Sequence, residues 1–330
     1  MQVHAWGWIA LIGVVTALIL VDIFGHIRKP HAPTTRESAT WTAFYVSLAT
    51  VFGLVLWAIY GGRYAGEYFA GYITEYSLSI DNLFVFIIII GALRVPREHQ
   101  QKVLLSGIII AIVLRFFFIL IGAAAISRFS WVFYIFGIFL LYTAATQLRG
   151  GISGGHEDEE YQETAFVRAI RRVLPVTPGY VGGKLLHRAG GRTYITPMLI
   201  CIFALGSADL MFAVDSIPAV FGITQEPYIV FAANAFALLG LRQLYFLIDG
   251  LLESFVYLPY GLAAILGFIG VKLIIHALHT NELPFINDGE PWTVIPEFST
   301  AVSLVWIISV LVLTVVASVW RNRRMSRDVA

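Results

Sequence analysis

Charge is what this chain has least of. Only 13% of its 330 residues are Asp, Glu, Lys or Arg, against 58% hydrophobic, and the mean hydropathy is +0.79. A water-exposed globular surface needs about a quarter charged residues, so the composition excludes one. Cysteine is almost absent: Cys201 stands alone, which leaves neither an internal disulfide nor a thiolate cluster for a soft metal. Met1 to His4 carries no Lys or Arg, and no small-residue cleavage site leads into a soluble chain. The first apolar run is therefore expected to be a retained span rather than a secretory signal. Strict polar–apolar alternation is missing too, which excludes a transmembrane barrel. The net charge of +1 says nothing about partners.

What the chain has instead is long apolar runs. Nine can cross a hydrocarbon core of about 30 Å: residues 5–21, 41–60, 68–93, 103–125, 131–148, 195–214, 228–248, 259–278 and 300–320. The expectation is an all-α integral membrane protein, one polytopic domain over 1–330. Its half-cores are 41–125 and 195–278, its extra helices 5–21 and 300–320, and its cytoplasmic linker 150–194. That linker opens on the flexible GGISGGHEDEE and reads mainly as a solvated connector, with RAIRR (Arg168 to Arg172) as a short basic surface helix.

Lys and Arg set the orientation. With the N-terminus outside, the inner side receives Arg28, Lys29, Arg36, Arg94, Arg97, Lys102, the basic residues from Arg149 to Arg192, and Arg321, Arg323, Arg324 and Arg327. Only Arg63 and Arg128 fall outside, and Arg115, Arg242 and Lys272 lie within spans. The expected location is the cell membrane, with the C-terminus cytoplasmic. The outer loop 280–299 has Glu282, Asp288, Glu290 and Glu297 but no Lys or Arg, and reads as solvated.

Against this apolar background one stretch repeats. EYSLSIDNL, Glu75 to Leu83, recurs as DLMFAVDSI, Asp209 to Ile217, aligning Glu75 with Asp209, Asp81 with Asp215 and Asn82 with Ser216. The copies fall on spans three and six, so they run in opposite directions, as in the inverted repeats of secondary transporters that bind substrate near the midplane. Gly71, Gly206 and Pro218 flank the copies and suggest broken or kinked helices there. Arg115 in LRFFFILIG and Arg242 in LRQLYFLIDG give each half one arginine as well as two acids.

A charge at the centre of a spanning helix costs about 2.5 to 3.5 kcal/mol, so such residues face a polar interior or bind something. Acids at i and i+6 lie about 120° apart and about 9 Å along the axis. One helix cannot close both on a single ion, but two antiparallel helices can, through Glu75, Asp81, Asp209 and Asp215. Asn82, Ser79, Ser207 and Ser216 are the neutral oxygens. A thiolate-free oxygen set suits Mn²⁺, Mg²⁺ or Ca²⁺ and disfavours Cu(I), without separating the three. The blander alternative is salt bridging for assembly, such as Asp81 to Arg242 or Asp215 to Arg115. Lys272 reads as a snorkelling residue near the end of span eight, or as a coupling residue. Asp22 reads as interfacial. His276 and His279, at i and i+3, lack a third ligand.

EYSLSIDNLFVF, VTPGYVGGK, ADLMFAVDSIPAVFGIT, NAFALLGLRQLYFL and GFIGVKL, between Glu75 and Leu273, resemble the TerC family of integral membrane proteins. The resemblance implies a fold related to the lysine-exporter superfamily and a role in manganese efflux or metal-ion homeostasis. Some members are named for tellurium resistance. It implies that the family's acidic residues correspond to Glu75, Asp81, Asp209 and Asp215, with Asn82 also matching.

The leading expectation is therefore an exporter of divalent cations, foremost Mn²⁺, coupled to protons, and not an enzyme. The metal ion is its substrate and no cofactor is tightly bound. Metal ion and membrane lipid are the expected partners, with no nucleic acid, and the oligomeric state is undetermined by sequence. An intramembrane aspartyl protease is disfavoured because the contexts IDN, GSAD and VDS lack Tyr-Asp and Gly-x-Gly-Asp. A tellurite or oxyanion handler using Arg115 and Arg242, and an assembly or metalation factor, are the remaining alternatives.

Overall fold

In lipid every backbone N–H and C=O must find its partner within the chain, so apolar runs of this length fold as helices. A computed structural model of the protein describes residues 1, 3–27, 33–152, 175–189, 192–248 and 257–328. The long helices are α1 Ala5–Asp22, α2 Thr35–Tyr60, α3 Gly62–Ala92, α4 Arg97–Arg128, α5 Val132–Ile152, α6 Pro197–Phe221, α7 Pro227–Ile248, α8 Leu258–His279 and α9 Thr300–Asp328. Among the described residues, nine helices are long and apolar enough to cross a membrane. The protein is a multi-pass, all-α membrane protein.

The helices outrun the apolar stretches that mark them. Helix α2 begins at Thr35, not residue 41, because Thr34 Oγ1 accepts from the Glu37 backbone N–H at 3.2 Å, half of a Thr-x-x-Glu capping signature. Helix α3 has 31 residues, about 46 Å of helix, well beyond one bilayer core. Helix α6 continues seven residues past 214 and runs unbroken through Gly206 and Pro218. Pro218 sits in its last turn, where its missing N–H and ring disturb little that follows. Asp215 is thus inside a helix and not at its edge.

The buried centre is α7, whose Ala232, Ala233, Ala235 and Ala237 are fully buried and let α2, α3 and α4 approach closely. Helices α3 and α6 pack antiparallel: Gly71 lies against Val220, while Leu78 and Asn82 lie with Phe212 and Asp215. Helices α4 and α6 pack parallel, with Gly107 against Leu205, Gly206 against Ile110 and Gly122 against Phe221. Between α2 and α3 the chain reverses at Gly61, whose φ of 90° glycine alone adopts without strain.

The described part of the 150–194 connector is largely exposed, but it is ordered and tied to the bundle. Leu186–Ala189 and Arg192–Ile195 pair antiparallel. Tyr180 donates to the Leu93 carbonyl at 2.8 Å, and Lys102 Nζ donates to the Gly183 carbonyl at 2.5 Å. The VTPGYVGGK stretch therefore straps this segment to the α3–α4 turn. Burial pushes the Tyr180 hydroxyl up to about 12, so it remains a donor at neutral pH. The RAIRR stretch lies outside the described residues.

Candidate functional site

Helical periodicity decides which of the acidic residues meet. On α3, Glu75, Ser79 and Asn82 fall at i, i+4 and i+7, one stripe. On α6, Asp209 and Ser216 are i and i+7 and share a face, whereas Asp215 is turned away from it. Arg115 reaches from α4 to both stripes. Its Nε donates to Asp209 Oδ2 and its Nη2 to Asp209 Oδ1, each at 3.0 Å. Its Nη1 donates to Ser216 Oγ at 3.1 Å and to Glu75 Oε1. Glu75 and Arg115 are completely buried.

Two carboxylates therefore share one guanidinium in an apolar interior. The pairing offsets part of the cost of placing ions there, but leaves the cluster with net negative charge when both acids are ionised. Several buried polar atoms along the same stretch of α3 have no hydrogen-bond partner among the described residues: Glu75 Oε2, Ser79 Oγ, Thr74 Oγ1 and Asn82 Nδ2. Buried polar atoms rarely stay unsatisfied, so these are places where a ligand or water gains most.

Asp215 and Asn82 lie together on the wall of a cavity of about 80 Å³, with Leu78, Gln147, Phe212, Leu262 and Leu266. A single water needs only about 10–15 Å³, so the space admits an ion with part of its hydration shell. The Asp81 backbone is on α3, and its side chain lies outside the described set. Among the described residues no three His, Cys, Asp or Glu gather as a metal-holding group. Of the expected quartet, Glu75 and Asp209 are brought together on Arg115, while Asp215 keeps to the cavity.

The other expected residues go elsewhere. Arg242 Nη2 donates to Asp22 Oδ1 at 2.7 Å, joining α7 to α1. Asp22, the last residue of α1, is 1% exposed and so is packed inside the bundle rather than open to water. Its place at the end of an apolar run suggested water, but its partner comes from a helix distant in sequence. Lys272 donates to Ser303 Oγ at 3.2 Å and faces a second, larger cavity of about 790 Å³ at the end of the bundle where α2 meets α3. That vestibule is also lined by Arg63, Glu67, Glu226, His276 and Glu297. Glu67 accepts from Arg63 Nε at 3.0 Å and from Thr224 Oγ1 at 2.6 Å. Glu297 Oε1 lies 2.8 Å from His276 Nδ1 and 3.7 Å from His279 Nδ1. Part of the loop 280–299 is thus folded back onto the bundle instead of merely solvated. Glu67, Glu226 and Gln147 escaped sequence reasoning. Only the i, i+4 spacing of Arg63 and Glu67 signalled any of them.

The model of the integral membrane protein TerC family matches residues 60–326. The chain belongs to the TerC family. All four repeat acids, Arg115 and the strap at Tyr180 fall within the family region. The chain is similar to the uncharacterized membrane protein Rv2723 of Mycobacterium tuberculosis (strain ATCC 25618 / H37Rv), 48% identical over 97% of this chain and 81% of that protein. It is similar as well to the uncharacterized membrane protein STKORF319 of Myxococcus xanthus, 40% identical over 81% of this chain and 83% of that protein. A third relative is the Escherichia coli (strain K12) protein named "Putative membrane-bound redox modulator Alx", 35% identical over 98% and 96% of the two chains. No solved structure matches the chain.

Proposed function

We propose that this TerC-family protein is a transporter that exports divalent metal cations, Mn²⁺ foremost, in exchange for protons. The observation that carries the reading is the surplus of carboxylate at the α3–α6 contact. Glu75 and Asp209 share one guanidinium in an apolar interior, and the half-buried Asp215 stands beside a cavity with Asn82. Asp81 belongs to the same segment by sequence. Hard oxygen donors of this kind favour Mn²⁺, Mg²⁺ or Ca²⁺. The antiparallel course of α3 and α6 supports an inverted repeat with its site where the two copies meet. The basic residues support an N-terminus outside and a C-terminus inside. The protein acts on its substrate by moving it, with no covalent turnover.

The competing readings find less support. Arg115 and Arg242 both engage carboxylates, which disfavours an oxyanion receptor built on them. Thiol redox chemistry of the kind a modulator could use has only Cys201 to draw on, and it is buried. An assembly factor would tolerate neutral residues at the acidic positions. Mn²⁺ flux into inverted membrane vesicles separates these readings. Asp81→Asn and Asp215→Asn, at wild-type membrane abundance, are each expected to abolish the flux. Unchanged flux in both would make the acids structural and favour the assembly role.

A further inference from the structure

We infer that Arg115 is a tethered counter-cation, standing in for the transported metal at Glu75 when the carrier returns with protons in place of metal, with Asp209 as its permanent holder. This rests on the transport reading above. The geometry distinguishes the two acids. Asp209 receives a two-pronged fork from Nε and Nη2, each prong 3.0 Å. Glu75 receives only Nη1, which it shares with Ser216 Oγ. A bidentate guanidinium–carboxylate pair is the stronger and better fixed of the two.

The packing points the same way. Helices α4 and α6, which carry Arg115 and Asp209, run parallel and interlock through Gly107, Gly206 and Gly122, so a movement of one carries the other. Glu75 sits on α3, which runs antiparallel to α6. Its second oxygen, Oε2, is fully buried and unpartnered among the described residues, as is Ser79 Oγ one turn away on the same stripe. When α3 shifts against the α4–α6 pair, the single Glu75 contact breaks first. Glu75 then presents both oxygens, beside Ser79, to an incoming cation. A metal-free carrier without a resident positive charge would need a proton on every carboxylate before reorienting, since unneutralised carboxylates in lipid are strongly disfavoured. Arg115 neutralises one of the two carboxylates it bridges, leaving the rest of the surplus to the exchanged protons, and is displaced from Glu75 in the metal-loaded carrier.

The inference predicts a split between two kinds of flux, measured on purified protein in sealed liposomes. Net Mn²⁺ transport requires the metal-free return step. Exchange of tracer Mn²⁺ for unlabelled Mn²⁺ does not. In Arg115→Gln, net transport is expected to fall at least about tenfold while tracer exchange stays within about threefold of wild type, the pattern of a carrier that crosses only when neutralised. Arg115→Lys, which keeps a charge, is expected to retain both activities in part. Wild-type net transport in Arg115→Gln overturns the inference. So does loss of both activities in Arg115→Gln that remains monodisperse with wild-type thermal stability, since the arginine would then belong to the ion path itself. If the wild type shows neither net transport nor exchange of Mn²⁺, the transport reading falls first and this inference with it.

Discussion

Asp22 and Arg242 show what single residues do in this protein outside its acidic centre. Both are 1% exposed, and their contact fastens α1, a largely lipid-facing helix, to the buried α7. Removing one member leaves the other charge in an apolar setting, which typically costs about 3–5 kcal/mol, whereas removing both is far milder. Asp22→Asn and Arg242→Gln are each expected to lower the unfolding temperature in detergent, and the double variant to recover much of the loss. A coupling energy of about 1–3 kcal/mol in the double-mutant cycle is the expected size, and additive effects would show the pair to be incidental. Nothing in the sequence joined these residues. Asp22 closes an apolar run and looked like a residue reaching water, and Arg242 looked like the second-half counterpart of Arg115. The acid spacing of Glu75, Asp81, Asp209 and Asp215 was legible because carboxylates are rare here and periodicity is one-dimensional. Which acid Arg115 would select was not, since that depends on how α4 lies against α6.

At the scale of elements, α5 and α8 pack backbone against backbone at Gly137 and Gly270. A methyl group placed on Gly137 would fall 2.9 Å from the Gly270 carbonyl oxygen and 2.6 Å from an Ile274 side-chain carbon. The two helices also supply Gln147, Leu262 and Leu266 to the cavity that holds Asp215. Gly137→Ala must push α5 and α8 apart, at a cost of about 1–3 kcal/mol by the usual scale of overpacking. Its thermal midpoint is expected to drop clearly. Gly13→Ala on α1, where nothing lies within 4 Å, serves as the control and is expected to hold or gain slightly. Equal midpoints for the two variants would mean that α5 and α8 yield freely. Element existence was readable from the apolar runs, but their ends were not. Thr34 extends α2 through a cap, and Pro218 lets α6 carry Asp215 instead of stopping before it. The strap at Tyr180 was readable as a family stretch, and its anchoring on Leu93 only in three dimensions.

For the whole molecule the question is direction. Moving two positive charges outward against an inside-negative potential costs about 4.6 kcal/mol per 100 mV, so an uncoupled pathway would carry Mn²⁺ inward. Carboxylates must shed protons to bind the ion, which makes the acidic centre a natural exchanger of metal for protons. The polar vestibule of about 790 Å³, with Glu67, Glu226 and Glu297 on its walls, opens at the end of the bundle opposite the Tyr180 strap. In the proposed orientation that end is external, and in the proposed exchange protons would enter and the metal would leave there. Each exchanged proton contributes about 1.4 kcal/mol per unit of pH gradient. Inverted vesicles with an acidic lumen are therefore expected to accumulate Mn²⁺ above its external concentration, and collapse of the pH gradient by a proton–potassium exchanger to release it. Accumulation indifferent to the gradient, under a clamped membrane potential, would remove protons as the coupling ion and require another ion to drive export.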